Sequence, residues 1–226
     1  MDTINIKKNL HQIWTGDKLP EKYLDLQKSF ILNHKDWNYK LWNLDECRVL
    51  IKTKYPFFLD IFDNYEHIIQ KIDSSRLFIL NEYGGLYSDL DIHFFKNIEP
   101  LLKGNKACIF ESNNQMMKKG ANDNIIIDNY IMYNNNSVFF NKICKQMKYF
   151  IQKDINKTDI LKQKIYYGGG SHFITNFLKI NKHDVTVFNC KHFESIKCIS
   201  DYIDQDHIYG IHFCYRSWID KGIITV

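Results

Sequence analysis

Hydrophobic and polar residues along this chain follow two periods, and the switches between them lay out a string of strands and helices. A short apolar run at residues 9–14 (NLHQIW) reads as a buried strand. A helix is expected over 19–33, opening at Pro20, with Tyr23, Leu24, Phe30 and Ile31 at helical spacing. Residues 39–43 (YKLWN) alternate and form a second strand. Residues 44–62 return to the helical period but contain Pro56, which breaks or kinks the helix there. Strand and helix in this alternation build a sheet covered by helices.

Residues 65–83 carry the most informative helix. At 100° per residue, Tyr65, Ile69, Ile72, Ile79, Leu80 and Tyr83 share one stripe. Gln70, Lys71, Ser74, Ser75, Asn81 and Glu82 are expected opposite. Arg76 falls inside the apolar stripe and Asp73 at its edge. Gly84-Gly85 stops the helix. LYSDLDIHFF then reads as a strand over 86–88, an acidic turn, and extended structure over 92–95. Further strands are expected at 107–111, 125–132, 185–188 and 208–213, and helices at 138–152 and 171–178. No internal repeat and no linker-like stretch interrupts this order, so residues 1–226 are expected to form a single catalytic domain.

Composition narrows the class. With 226 residues, 45% of them hydrophobic, the chain holds one sizeable core. A net charge of +4, its Lys and Arg scattered among acids, suits an anionic small molecule and argues against nucleic acid as a partner. The six cysteines show neither a CxxC pair nor a zinc pattern. The first residues have no signal-like apolar run, and no stretch approaches the length of a transmembrane segment. A cytoplasmic protein with reduced thiols is the expectation.

Asp89-Leu90-Asp91 is the centre of the chemistry. Two carboxylates one residue apart at a strand end can aim at one divalent cation, and hard oxygen ligands suit Mg²⁺ or Mn²⁺. Such an ion neutralises a departing diphosphate. A bare Asp-x-Asp is common in solvated turns, but this pair is flanked by Leu86, Tyr87, Leu90 and Ile92, and buried carboxylates need a partner or a metal. An arginine on an apolar helix face needs an anion for the same reason. Asp73, three residues before Arg76, can supply that anion as a purely structural ion pair.

The segment IDSSRLFILNEYGGLYSDLDI resembles the signature of the family 32 glycosyltransferases, the DXD sugar-binding group. That group includes fungal initiating α-mannosyltransferases and bacterial capsular-sugar transferases, with the clostridial glucosylating toxins as distant members. Asp73 and Arg76 match its Asp-x-x-Arg, and Tyr83-Gly84-Gly85-Leu86-Tyr87-x-Asp89-x-Asp91 its core. Leu10-His11-Gln12-Ile13-Trp14 is similar to the family's first strand, and His212 through Ser217-Trp218 to its closing segment.

The resemblance implies a GT-A-type α/β fold with a mixed central sheet and helices on both faces. It also implies a retaining, divalent-metal-dependent transfer of a hexose from a UDP- or GDP-linked donor to a glycan or other hydroxyl acceptor. By it, Trp14 lines the nucleotide, and Asp73 and Arg76 hold the donor sugar and a phosphate. Asp89 contacts ribose or the metal, Asp91 binds Mn²⁺ or Mg²⁺ directly, and His212 is a further metal ligand. Ser217 and Trp218 close over the diphosphate, and Asp128-Asn129 lies near the reacting sugar. Gly168-Gly169-Gly170 lacks a proline that the family often has there. A metal-dependent phosphohydrolase using the same acid pair, or a non-catalytic sugar-binding module, are the alternatives on residues alone.

Overall fold

The computed structural model describes residues 5–112, 127–155, 167–195 and 206–215. Strand β1 (Asn9–Ile13) leads into helix α1 (Glu21–Asn33), then β2 (Asn38–Trp42) and α2 (Leu44–Lys54). Asn43 caps α2 by accepting from the Glu46 amide at 2.9 Å, while the Glu46 carboxylate accepts from the Asn43 amide at 3.0 Å. The helical stretch breaks at Tyr55, and Pro56–Phe58 forms a 3₁₀ turn before the short α3 (Leu59–Asp63), as the proline requires. Helix α4 (Ile68–Tyr83) ends at Gly84 and leads into β3 (Gly85–Ser88) and β4 (Ile92–Phe94). A one-turn α5 (Glu99–Leu102), β5 (Ala107–Glu111), β6 (Ile127–Asn134), α6 (Val138–Ile155) and α7 (Ser171–Ile180) follow. Strands β7 (Thr186–Phe188), β8 (Phe193–Ser195) and β9 (Gly210–His212) come last among the described residues.

The central sheet has the order β2-β1-β3-β6-β5-β7. β1 is parallel to β2 and β3, and β6 is antiparallel to both β3 and β5. β7 lies parallel to β5. A second, three-stranded sheet, β4-β9-β8, stands beside it.

The inner strands β1, β3, β6 and β5 are buried on both faces, and alternation sends successive side chains into two cores. Ala107 and Ile109 join one core, Cys108 and Phe110 the other. The first core is closed by α2, α3, α4, α6 and α7. On the opposite face α1, α5 and the small sheet contribute Phe30, Leu102, Phe94 and Phe193.

Helix α4 departs from the amphipathic reading. Gln70, Ser74 and Ser75, expected to face outward, are buried, while Tyr83, expected in the apolar stripe, is 42% exposed. The cause is position: α4 lies between the sheet and the helices α2 and α6, so most of its circumference meets protein. Ser74 and Ser75 fit there because their hydroxyls donate back to the Lys71 carbonyl at 3.1 and 2.6 Å.

Among the described residues no helix is long and apolar enough to cross a membrane. Cys47, Cys108, Cys144, Cys190 and Cys214 are free thiols.

Candidate active site

The acid pair sits where β3 leaves the central sheet. Gly85 makes this geometry possible: its φ is +95°, and a Cβ there would stand 2.4 Å from the Asn9 carbonyl oxygen. Backbone of β1 and β3 thus approach more closely than any side chain allows. Beyond β3 the Asp89 amide still donates to the Tyr130 carbonyl at 2.8 Å, which extends the pairing with β6 by one residue. Its carbonyl accepts from Gln12 Nε2 at 3.3 Å and Ser88 Oγ at 3.0 Å. Gln12 is itself held by the Tyr39 hydroxyl, 3.0 Å away, which accepts from Gln27.

Arg76 lies beneath Asp89. Its Nη2 is 2.9 Å from Asp73 Oδ1 and 3.4 Å from Asp89 Oδ1, and its side chain is 3% exposed. The guanidinium stacks over the Tyr87 ring, 4.8 Å from its centroid. The Tyr87 hydroxyl donates to Asp89 Oδ1 at 2.7 Å. Burial works against the Arg76 charge, but Asp89, Tyr87, Asp73 and Asp128 outweigh it and raise its pKa. For Asp89, burial and the neighbouring Asp91 charge raise the carboxyl, against the opposing pull of Arg76 and the Tyr87 bond. Asp73 and Arg76 therefore do form the structural ion pair, and the same arginine also reaches the metal-type acid pair.

Asp91 is held from the other side. His212 is the last residue of β9 and lies opposite Ile92 of β4. Its Nε2 is 3.3 Å from Asp91 Oδ1, and the Tyr215 amide donates to Asp91 Oδ2 at 2.9 Å. The Phe213 amide donates to the Asp91 carbonyl at 2.9 Å. Burial pushes the Asp91 carboxyl up, but the His212 and Tyr215 bonds prevail and hold it low. Burial lowers His212 while the Asp91 bond raises it further, so its pKa lies well above the ordinary histidine value. The His212 ring packs on Tyr130, with centroids 4.5 Å apart.

One ligand atom each from Asp89, Asp91 and His212 lies within 4.8 Å of the other two. Two carboxylates and an imidazole fit a hard-to-borderline divalent cation such as Mn²⁺ or Mg²⁺. The histidine, more than a hundred residues from the acids, is brought in by β4–β9 pairing.

The remaining sequence candidates divide. Trp14 stands just past the carboxyl end of β1, at the same edge of the sheet as Asp89, and packs on Tyr23 with centroids 5.4 Å apart. Asp128, at the start of β6, accepts from Ser112 Oγ at 3.3 Å and is half-buried. The Gly168–Gly170 stretch packs against α4 next to Asp73. A Cβ on Gly169, whose φ is +126°, would lie 2.9 Å from Met147 Cε and 3.3 Å from the Ser74 amide. Tyr65 donates to the Gly168 carbonyl at 2.6 Å. Ser217, Trp218 and the side chain of Asn129 lie outside the described residues.

Reading the sequence by residue type missed Gln12, Tyr87, Tyr130 and the Tyr215 amide. Gln12 and Tyr87 lie inside quoted motifs, so the signal was there without a role. A backbone amide leaves no trace in sequence.

Known structures place this arrangement in a class. A galactosyltransferase, LgtC, in complex with donor and acceptor sugar analogues, superposes with a TM-score of 0.51 at 15% identity, over 91% of this chain and 87% of that one. The fold is that of the GT-A glycosyltransferases. A family model described as "Glycosyltransferase sugar-binding region containing DXD motif" matches residues 20–108, the stretch holding Asp73, Arg76, Asp89 and Asp91, so this chain carries the DXD glycosyltransferase region. Inositol phosphoceramide mannosyltransferase 3 of Schizosaccharomyces pombe is 43% identical over 97 residues, 43% of this chain and 27% of that protein. Mannosyl phosphorylinositol ceramide synthase CSH1 of Saccharomyces cerevisiae is 40% identical over 98 residues, 43% of this chain and 26% of that protein. The match thus spans about a quarter of the length of these curated relatives.

Proposed function

We propose that this chain transfers a hexose from a nucleoside-diphosphate sugar to a hydroxyl acceptor, with a divalent cation held by Asp89, Asp91 and His212. The observation that carries the reading is the convergence of those three side chains over a buried arginine. A bound Mn²⁺ or Mg²⁺ would supply charge neutralisation for the leaving diphosphate.

The protein's own groups do the rest. Arg76, committed to Asp73 and Asp89, keeps Asp89 in place and adds a fixed positive field beneath the site without opening to water. Tyr87 holds the Asp89 carboxylate by one oxygen, leaving the other for the ligand. The Tyr215 amide holds Asp91 by Oδ2, and its Oδ1 faces the His212 ring. Trp14, at the neighbouring strand end, is in place to line the nucleotide. Asp128 adds a carboxylate toward the reacting sugar, and Ser217 and Trp218 would complete the cover.

Mannose is the sugar this reading favours, because the two mannosyl-transferring relatives are about 40% identical across the DXD region. Both are named for phosphoinositol-bearing ceramides, so a lipid-borne inositol phosphate is the acceptor to try first. Retention of anomeric configuration and a cytoplasmic location belong to the same proposal. The test is a panel of UDP- and GDP-linked hexoses with Mn²⁺, read by mass spectrometry of products on that acceptor and on simple glycosides. GDP- or UDP-mannose turnover that stops in EDTA is expected. Turnover unchanged by EDTA, or hydrolysis of phosphodiesters without any sugar transfer, would overturn the reading.

A further inference from the structure

The residues that hold Asp91 from outside come from a short segment, 212–215, that begins at the last residue of β9 and then leaves its sheet. After His212 the chain turns at Cys214, whose φ of +53° is a left-handed conformation that non-glycine side chains rarely adopt. That turn brings the Tyr215 amide to Asp91 Oδ2. A strained turn persists only where surrounding contacts fix it. Upstream, the segment is fixed by β9 pairing with β4 and β8. Downstream it is fixed by something the metal site does not itself contain.

That anchor is the first turn of α1. Tyr23 is 2% exposed, and its ring meets the Tyr215 ring edge-on at 5.7 Å and the Trp14 ring at 5.4 Å. Lys22 Nζ stands 4.8 Å from the centre of the Tyr215 ring and 5.0 Å from that of Tyr23. Phe213 packs on Tyr215 at 5.4 Å. Leu19, Leu26 and Leu90 complete this small core, and Leu90 is the residue between the two acids.

We propose that Tyr23, with Lys22 over the same ring, is a positioning residue for the metal site: it holds Tyr215, and through the Cys214 turn sets the Tyr215 amide on Asp91 and the His212 ring beside it. The chain path is continuous, from the α1 ring to the Tyr215 ring, to the Tyr215 amide, to Asp91 Oδ2. It also explains why the first turn of α1, more than sixty residues upstream of the acids, carries a buried aromatic at this edge. The Tyr23 ring pairs with Tyr215 and shares a core with Leu90, so its effect reaches the acids through segment 212–215 and the residue between them. The proposal rests on the metal site described above.

The test measures Mn²⁺ binding to the full chain, by electron paramagnetic resonance of free Mn²⁺, alongside thermal unfolding. Tyr23→Leu removes the edge-on ring contact and is expected to weaken Mn²⁺ binding about 3- to 10-fold, the range an aromatic pair contributes. Tyr23→Phe keeps the ring and is expected to bind like the wild type, since the contact is made by the ring. Lys22→Met removes an exposed cation–π contact and is expected to weaken binding about 2- to 5-fold. Leu26→Ala, in the same small core but leaving the Tyr23–Tyr215 ring pair intact, controls for destabilisation alone and is expected to lower the melting temperature while leaving Mn²⁺ affinity unchanged. Wild-type affinity in Tyr23→Leu, or an equal loss in Leu26→Ala, would overturn the positioning role and leave the metal site standing. Absence of Mn²⁺ binding by the wild-type chain would overturn the site and this proposal together.

Discussion

The two halves of the site are built on different principles. The inner half, Asp73, Arg76, Tyr87 and Asp89, comes from seventeen consecutive residues and is locked by ion pairs and a ring stack under the sheet edge. The outer half, Asp91, His212 and the Tyr215 amide, joins residues more than a hundred apart through a three-stranded sheet and a single turn. Side-chain exposure sets the base of the inner half apart: 3% for Arg76 and 8% for Asp73, against 14% for both Asp91 and His212. Asp89, at 29%, is where the halves meet. The inner half is thus part of the core and should fail together with the fold. The outer half is joined across the chain by a three-residue strand pairing and one turn, and should lose ligand binding while the fold survives.

Arg76→Ala gives the largest effect and tests the first statement. It strands two carboxylates beside a void, and breaking a buried pair from one side costs about 3–5 kcal/mol. Chemical denaturation should report that loss. Near-wild-type stability would mean the inner half is not integral to the core. Asp91→Asn comes next and should separate binding from folding. Losing a charged ligand is expected to weaken Mn²⁺ affinity by about 100-fold, or about 2.7 kcal/mol, with the unfolding midpoint nearly unchanged. Calorimetry showing equal Mn²⁺ affinity in this variant would remove Asp91 from the metal site.

A pH experiment reaches the support of the inner half. His11 sits buried between the Trp42 indole, whose Nε1 lies 3.2 Å from its Nδ1, and the Gly84 carbonyl, 2.9 Å from its Nε2. The neutral ring satisfies both contacts, accepting from the indole and donating to the carbonyl. Burial lowers its pKa to about 4, with the Gly84 bond opposing and Lys40 adding to the shift. The unfolded chain therefore binds this proton first as pH falls. Stability from His11 is complete above about pH 6.5 and is lost progressively down to about pH 4, a loss of about 2 kcal/mol by pH 5. His11→Gln should flatten that part of the stability–pH curve. An unchanged slope between pH 7 and 5 would show that His11 does not cause it. The smallest effect belongs to His212→Gln, expected to weaken Mn²⁺ binding about 10-fold, in the range of a supporting group. A loss as large as that of Asp91→Asn would make the outer half depend on the histidine as much as on the acid.

Much of the fold was legible because strand and helix periods are local. β5 was read to the residue, and the break at Pro56 and the stop at Gly84 follow from backbone chemistry that no packing changes. The outward face assigned to α4 was not legible. Amphipathicity predicts one buried side, while a helix enclosed by neighbours buries its small polar residues too, provided they bond to its own backbone. The short β8 and the one-turn α5 have no counterpart among the elements expected from the sequence.

For the site, the sequence by itself determined the inner half. Asp73, Arg76, Tyr87 and Asp89 lie on one helix, one glycine turn and one strand that follow one another directly in the chain, so local connectivity largely sets their juxtaposition. His212 was legible in the sequence only through the family resemblance; the tertiary structure brings it beside the acid pair, sets the Tyr215 amide on Asp91 and stands Tyr23 behind Tyr215. The reason is physical: these contacts depend on strand pairing and ring packing between residues far apart in the chain. Their energy is realised only once the intervening segments have been ordered, and that cost is not written in any local pattern.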